Sequence, residues 1–306
     1  MGIVVIGAVF VDIKGYPLKN FIPTGRNAGK VEMVHGGVSR NVAEDIANLG
    51  LNPTYVSVVD KSGYGLDVLK KLQEHNVNTC YMRQVENGMG TWLVVFDQNG
   101  DVYASISKRP DLSEIAQILI EHGDEMISQC DSVAIEIDME KEIVERVLDL
   151  AHKYHKQVFA VVSNMSIAVK RRDLLQQVDC FVCNKEEAEL FFSHDFDIDA
   201  PADMVDTLKE LVSAANIRRM VMTMGHDGAV YVQNDGECGI CPSMKVIVKD
   251  TAGCGDAFFA GVTVGLTYGK SLSEACEIGT RLAGSVIVTS ENVCPKFRPS
   301  EFGIEL

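Results

Sequence analysis

Short apolar runs alternate with helical patterns through the second half of this 306-residue chain. SVAIEI (132–137), QVFAVV (157–162), CFVCN (180–184) and RMVMTMG (219–225) read as strands, and segments 139–155, 167–177, 185–193 and 201–215 read as helices between them. Strands that are apolar without a break need cover on both faces, and parallel neighbours need a crossover of helix length. This rhythm predicts a doubly wound, mostly parallel α/β sheet with helices on both faces. The beginning of the chain follows it too. IVVIGAVFVD (3–12) reads as one buried strand, GGVSRNVAEDIANLG (36–50) as a Gly-Gly entry into a helix stopped by Gly50, and TYVSVVD (54–60) as a further strand. A helix near 113–128, a hairpin-like AVYVQNDGECGI (229–240) and a long helix after Asp256 complete the pattern.

One segment breaks the rhythm. TWLVVFDQNGDVYASI has two β-rich arms joined at Asn99-Gly100, a strong hairpin signature. The stretch KGYPLKNFIPTGRNAGK (14–30) reads as loop, and VEMV after it as a short strand. The expectation is one α/β domain over 1–306, carrying a small β appendage made from about 13–34 and 90–107. In such a sheet, ligands bind outside the carboxyl ends of the strands.

Charge narrows the ligand class. With 43 acids against 28 bases the net charge is -15, which leaves no broad footprint for nucleic acid or anionic lipid, so any anion must be held by local devices. The apolar start has no basic n-region and reaches Asp12 early, which suits a strand better than a signal peptide, and no run approaches a membrane span of about 18 apolar residues. Nine cysteines without a scaffold spacing suit a reducing cytoplasm. Two pairs are spaced C-x-x-C, Cys180 with Cys183 and Cys238 with Cys241. In the strand-like VDCFVCN, residues three apart face opposite ways, so these read as incidental thiols rather than zinc ligands.

The most informative glycines lie in KDTAGCGDAFFAGV (249–262). A dinucleotide fingerprint fails there, because the position of its third glycine holds Phe258. A Walker loop in GLTYGKS would need its first glycine at Val264, and Gly269 reads as a helix end. What is left is an anion-binding nest of backbone N–H groups opening a helix, whose positive end favours negative charge. Asp256 would add repulsion to simple anion binding, yet it suits a base that accepts a proton from an attacking hydroxyl. A capping aspartate at a Gly-rich helix start is the plainer alternative.

DTAGCGDAFFAG resembles the D-T-x-G-A-G-D signature of the PfkB, or ribokinase-like, carbohydrate kinases, with Cys254 where alanine is usual. GGVSRNVAEDIANLG resembles their G-G-x-x-x-N motif, NKEE (184–187) their N-x-x-E, and TMGHDG (223–228) their T-x-G-x-x-G. The four stand in family order across nearly the whole chain. The resemblance implies a ribokinase-like fold and ATP-dependent phosphorylation of a sugar, sugar phosphate or nucleoside hydroxyl, with Mg2+ and, in many members, K+. It makes Asp256 the general base and the backbone of Ala252, Gly253, Cys254 and Gly255 the anion hole. Asn184 and Glu187 would organise magnesium, Glu187 through water, while Thr223, Gly225 and Gly228 line the nucleotide site. Asp12, Gly36, Gly37 and Asn41 would hold the acceptor, and Asp250 is the candidate K+ residue. The β appendage would be a lid that also joins a homodimer. The implied partner is a small molecule, not nucleic acid or membrane.

Each role has a plainer counterpart in the residues themselves: a loop cap for Asp12, a helix entry for Gly36-Gly37, a dipole-favoured acid for Glu187. Arg40 either reaches an acceptor phosphate or base or lies on the outer face of its helix. Within the family, VDIKGYP with NAGKVEMVHGGVSRN is locally most like the pseudouridine kinases, which implies pseudouridine as acceptor. Two departures point elsewhere. SISKRPD places Lys108 and Arg109 after the hairpin, suited to an acidic or phosphorylated sugar or to a solvated lid edge. VVSN (161–164) offers Ser163 and Asn164 where many relatives have a strand-ending Asp-Pro. Ribose, a fructose phosphate or a keto-deoxy sugar acid are the alternative acceptors, and a non-catalytic sugar- or nucleoside-binding regulator is the alternative function. The intact Gly253, Gly255, Asp256 set argues against a regulator. A thiol at a helix N-terminus has a lowered pKa, so Cys254 raises redox sensitivity beside the simpler idea of a small residue in alanine's place.

Overall fold

The computed structural model describes residues 2–98, 102–196, 201–234 and 236–305; the turn expected at Asn99-Gly100 lies outside them. Strands β1 (Ile3–Ile6), β2 (Phe10–Pro17), β3 (Gly29–Gly36), β4 (Thr54–Asp60), β5 (Met82–Val85), β6 (Gly90–Phe96) and β7 (Val102–Lys108) come first along the chain. β8 (Ser132–Glu136), β9 (Gln157–Val161), β10 (Cys180–Asn184), β11 (Arg219–Thr223), β12 (Ala229–Gln233) and β13 (Cys238–Cys241) follow. Among the described residues they form a nine-stranded sheet in the order β13-β12-β11-β10-β9-β8-β1-β4-β5 and a four-stranded sheet in the order β3-β2-β6-β7. Every pairing from β5 to β11 in the large sheet is parallel, and only β12 and β13 run antiparallel at its edge.

Strand alternation builds two cores. Val4 and Ile6 face one side, and Ile3 and Val5 the other. The first side is covered by helices that include 113–129, 141–153 and 201–214, the second by 38–48, 63–74, 254–267 and 272–287. We number the helices α1 (Val38–Asn48), α2 (Gly63–Glu74), α3 (Ser113–Gln129), α4 (Lys141–Lys153), α5 (Met165–Ala168), α6 (Arg172–Leu175), α7 (Lys185–Phe192), α8 (Pro201–Ala214), α9 (Cys254–Thr267) and α10 (Leu272–Ile287). α9 and α10 approach through bare backbone: a Cβ on Gly261 would lie 2.6 Å from the Gly279 Cα. The alternation also separates the cysteine pairs, since Cys180 packs in one core and Cys183 in the other, as strand geometry predicts.

Several boundaries differ from the sequence expectation. IVVIGAVFVD is two strands in two sheets, not one strand. The break at Gly7, Ala8 and Val9 is tied to the start of α1 by the buried Glu136, whose Oε1 accepts from the N–H groups of Ala8 (3.3 Å) and Ser39 (2.9 Å). A Cβ on Gly7 would sit 2.7 Å from that carboxylate. The stretch read as loop from Lys14 onward continues β2 as far as Pro17, paired to β3 and β6. The helix expected over 167–177 is α5 and α6 with a 3-10 turn at Val169–Arg171 between them. α9 begins at Cys254, two residues ahead of Asp256, and α2, β5 and α10 are elements that the sequence reading did not separate.

Strand alternation gives the small sheet two faces. Asp12, Lys14 and Tyr16 of β2, with Trp92 and Phe96 of β6 and Ser107 of β7, line a cavity between this sheet and the carboxyl ends of the large one. The opposite face carries Met33, Ile13, Leu93 and Ile106 in register across all four strands. Met33, Leu93 and Ile106 are exposed.

Candidate active site

The cavity has a volume of about 1060 Å3, and its floor is the start of α9. Gly253 caps that helix in the left-handed region (φ +79°), where a Cβ would lie 2.0 Å from the Asn292 carbonyl oxygen, so only glycine fits. No side chain caps the helix, and the Cβ position of Gly255 faces open space. The first N–H groups of α9 therefore lack a capping side chain at the point where Ala252 and Gly253 wall the cavity. Asp256 stands in the first turn.

Asp256 is half-buried and oriented from α1. Asn41 Nδ2 donates to its Oδ2 at 2.7 Å, across 215 residues of sequence. The Asn41 amide is itself fixed, because its Oδ1 accepts from the Arg40 guanidinium at 2.7 Å and from Asn292 Nδ2 at 3.3 Å. Arg40 is fully buried and ion-paired with Glu44 one turn on, so neither expectation for it holds: it lies neither on the outer face nor against the acceptor, but behind Asn41. Burial holds the Asp256 carboxyl up at about 6, against the Asn41 hydrogen bond; the Asp12 charge raises it and Arg40 lowers it. Asp12 is likewise raised to about 6 by burial, with Lys14 and Arg40 opposing. Asp12 sits inside β2, not at the end of a first strand, and its carboxylate fills the space a Cβ on Gly36 would take. Gly37, at φ +101°, would bring a Cβ within 2.6 Å of the Ala8 carbonyl oxygen.

A second group stands beside the cavity without lining it. Asn184 and Glu187 form a capping box on α7: Asn184 Oδ1 accepts from the Glu187 N–H and Glu187 Oε2 from the Asn184 N–H, each at 2.8 Å. These are the reciprocal bonds of a helix start. Burial lifts the Glu187 carboxyl to about 6, its bond to Asn184 opposes this, and the charges of Asp138, Glu186 and Asp256 add to it. Thr223 is level with Asn184 across the β10–β11 ladder. Gly225 (φ +57°) opens the turn beyond it, and Gly228 (φ +91°) has the Cys241 carbonyl where a Cβ would be, at 2.2 Å.

Asp250 Oδ1 accepts from the Ala252 N–H at 2.9 Å and shapes the loop before α9. The Cys254 thiol overturns the lowered-pKa expectation: burial and the charges of Asp250, Asp256 and Asp45 push it up to about 12, outweighing the helix end. Lys108 donates to Asn87 and is exposed, whereas Arg109 reaches the cavity and is held on Asp138 at 3.2 Å.

Asp138 is the residue that the sequence reading missed. It follows β8, is fully enclosed, and accepts from the Ser163 N–H (2.9 Å) and hydroxyl (2.8 Å) as well as from Arg109. Its place just beyond a strand's carboxyl end was the available signal. Four aromatic rings on the cavity wall, Phe10, Tyr16, Trp92 and Phe96, were also missed, and Tyr16 and Phe96 stack at 4.9 Å and 8°.

A half-buried carboxylate at an uncapped helix start, facing a cavity of this size, can take a proton from a hydroxyl while the helix end receives an anion. The sequence matches the family model described as pfkB family carbohydrate kinase over residues 2–298. The chain belongs to the pfkB family. It is similar to the guanosine-inosine kinase of Exiguobacterium acetylicum, 35% identical over 95% of each chain, and to the pseudouridine kinase of Escherichia coli K12, 28% identical over 89% of this chain and 86% of that one. Its ribokinase-like fold matches the Arabidopsis thaliana ribokinase solved with ribose and ATP, at a TM-score of 0.82 and 18% identity over 96% of this chain and 95% of that one. As a pfkB kinase it is a phosphotransferase with a hydroxyl acceptor. No helix among the described residues is long and apolar enough to cross a membrane.

Proposed function

We propose that this pfkB kinase transfers the γ-phosphoryl group of ATP to the 5′-hydroxyl of a nucleoside. The observation that carries the reading is Asp256, fixed by Asn41 at the mouth of α9 and facing a cavity whose far wall is aromatic. Rings of that number suit a flat base better than a bare sugar. Asp256 accepts the hydroxyl proton as the oxygen attacks phosphorus and the bond to ADP breaks. The backbone of Ala252, Gly253, Cys254 and Gly255 and the field of α9 meet the charge in transit. Asp12, with the bare backbone of Gly36 and Gly37, receives the ribose hydroxyls, and Asn184, Thr223, Gly225 and Gly228 flank the nucleotide.

Mg2+ fits this donor set. No three Asp, Glu, His or Cys side chains among the described residues converge as a metal cage. Mg2+ takes one or two carboxylates, keeps several waters and binds substrate phosphates, and Glu187, raised in part by the charges of Asp138 and Asp256, marks where negative charge is pooled. Glu187 would hold it, directly or through water, and the ion would neutralise phosphate charge. K+ would sit beside Asp250, next to the anion hole. We place the enzyme in the cytoplasm, which suits nine free cysteines, and read the small sheet as a lid of a single catalytic unit whose exposed apolar face joins a homodimer.

A purine nucleoside is the first reading of the acceptor, supported by the 35% identical relative. Pseudouridine is the second, supported by the 28% identical relative and by Asn27, Gly29, Lys30 and Arg40 in the first signature. Coupled ADP release across inosine, guanosine, pseudouridine, uridine, ribose and fructose 6-phosphate tests both. Turnover confined to the phosphosugar would remove the nucleoside reading altogether.

A further inference from the structure

We infer that Lys14 reads the base of the acceptor, its ammonium donating to the oxygen and nitrogen acceptors on the edge of a 6-oxopurine, so that guanosine and inosine are taken in preference to adenosine. The inference rests on the nucleoside reading above. Lys14 is 8% exposed, and among the described residues it makes no hydrogen bond or ion pair. It walls the main cavity and a neighbouring one of about 350 Å3. The ammonium opens on the cavity rather than being sealed off, and it feels the Asp12 charge without bonding it, so its donors are left for a ligand. Other cations do not compete: Arg109 is held on Asp138, Lys108 on Asn87, and Lys249 is exposed to water.

Its place on β2 argues for the base. Alternate residues of a strand share a face about 7 Å apart, so Asp12, Lys14 and Tyr16 form one row on the cavity side. Tyr16 is stacked on Phe96. A carboxylate for sugar hydroxyls, then a cation, then an aromatic pair follows the order of a nucleoside laid along the strand: ribose, base edge, base face. An ammonium has three donors and no acceptor. Guanine and hypoxanthine present O6 and N7, both acceptors, whereas adenine puts an amino donor beside N7. The relative at 35% identity is named for guanosine and inosine, the two nucleosides sharing that edge.

Steady-state kinetics of Lys14→Met and Lys14→Gln with inosine, guanosine and adenosine tests this. Lys14→Met should lower kcat/KM for inosine and guanosine by about 10- to 100-fold, mainly through KM, and the inosine-to-adenosine ratio should fall with it. Lys14→Gln carries an amide that can donate to N7 and accept from the adenine amino group, so its ratio should fall further toward adenosine. Melting with and without ATP checks that both variants fold. A loss equal for all three acceptors and carried by kcat would put Lys14 on the phosphoryl group and overturn the inference; an unchanged ratio would overturn it too. Failure of the unaltered enzyme to phosphorylate any nucleoside removes the functional reading first, and shows itself without any variant.

Discussion

Asp256 carries the sharpest expectations at the scale of single residues. Asp256→Asn retains a group that Asn41 can hold but cannot take a proton, so turnover should fall by about 100- to 10,000-fold with nucleotide binding retained. Parental turnover in this variant would sink the assignment. Only the ionised carboxylate is a base, so kcat/KM of the unaltered enzyme should fall as pH drops through about 6. Stability should move the other way. A carboxyl whose folded pKa is raised from 3.8 binds its proton more tightly when folded, so its ionisation costs stability as pH rises from about 4 to 6. Asp256→Asn should therefore melt above the parent at pH 7.5, with the gap closing toward pH 4; thermal scans across that range read it directly. Asp256 and Asn41 were legible because each sits in a short motif with its own chemistry. Arg40, Asp138 and Lys14 were not, because what defines them is burial and partners from other elements: Arg40 looks like a surface charge until Glu44 and Asn41 enclose it.

The same contrast appears between elements, where two glycines on either side of Cys254 have different duties at the start of α9. Gly253 holds a left-handed turn against the Asn292 carbonyl, so Gly253→Ala should cost about 1–3 kcal/mol and lower the melting temperature along with activity. Gly255 is an ordinary helical position facing open space. Gly255→Ala should leave the fold as stable as the parent or slightly more so, while the methyl should intrude on the proposed anion hole and cut turnover. A stable, fully active Gly255→Ala would show that phosphate is held elsewhere. Most strands and helices of the large sheet were legible from periodicity. The split of β1 from β2 was not, because continuous apolarity says that a run is covered without saying by which sheet. The continuation of β2 through Gly15, Tyr16 and Pro17 reads as a turn in isolation and becomes a strand only because β3 pairs along all of it and β6 as far as Gly15.

For the whole molecule, the question is what covers the outer face of the small sheet, where Ile106 is 70% exposed and Met33 and Leu93 continue its row. If two copies meet there, sedimentation should give a dimer, and Ile106→Lys should shift it to monomer; a parent that is monomeric at every concentration would end that idea. The way this sheet joins the body has a mechanical consequence. Only three residues, Gly7, Ala8 and Val9, separate β1 in the large sheet from β2 in the small one, and Phe10 pairs with both Gly36 and Gly90, so three strands are anchored along one line at the same end. Any tilt of such a sheet would turn it as a lever about that line. At about 3.3 Å per residue, Asp12 lies about 7 Å from the axis and Tyr16 about 20 Å, so a tilt of about 10° shifts them by about 1 Å and 3.5 Å. On the nucleoside reading, the end proposed to meet the ribose would be nearly stationary, and the end proposed to meet the base would be the one that swings.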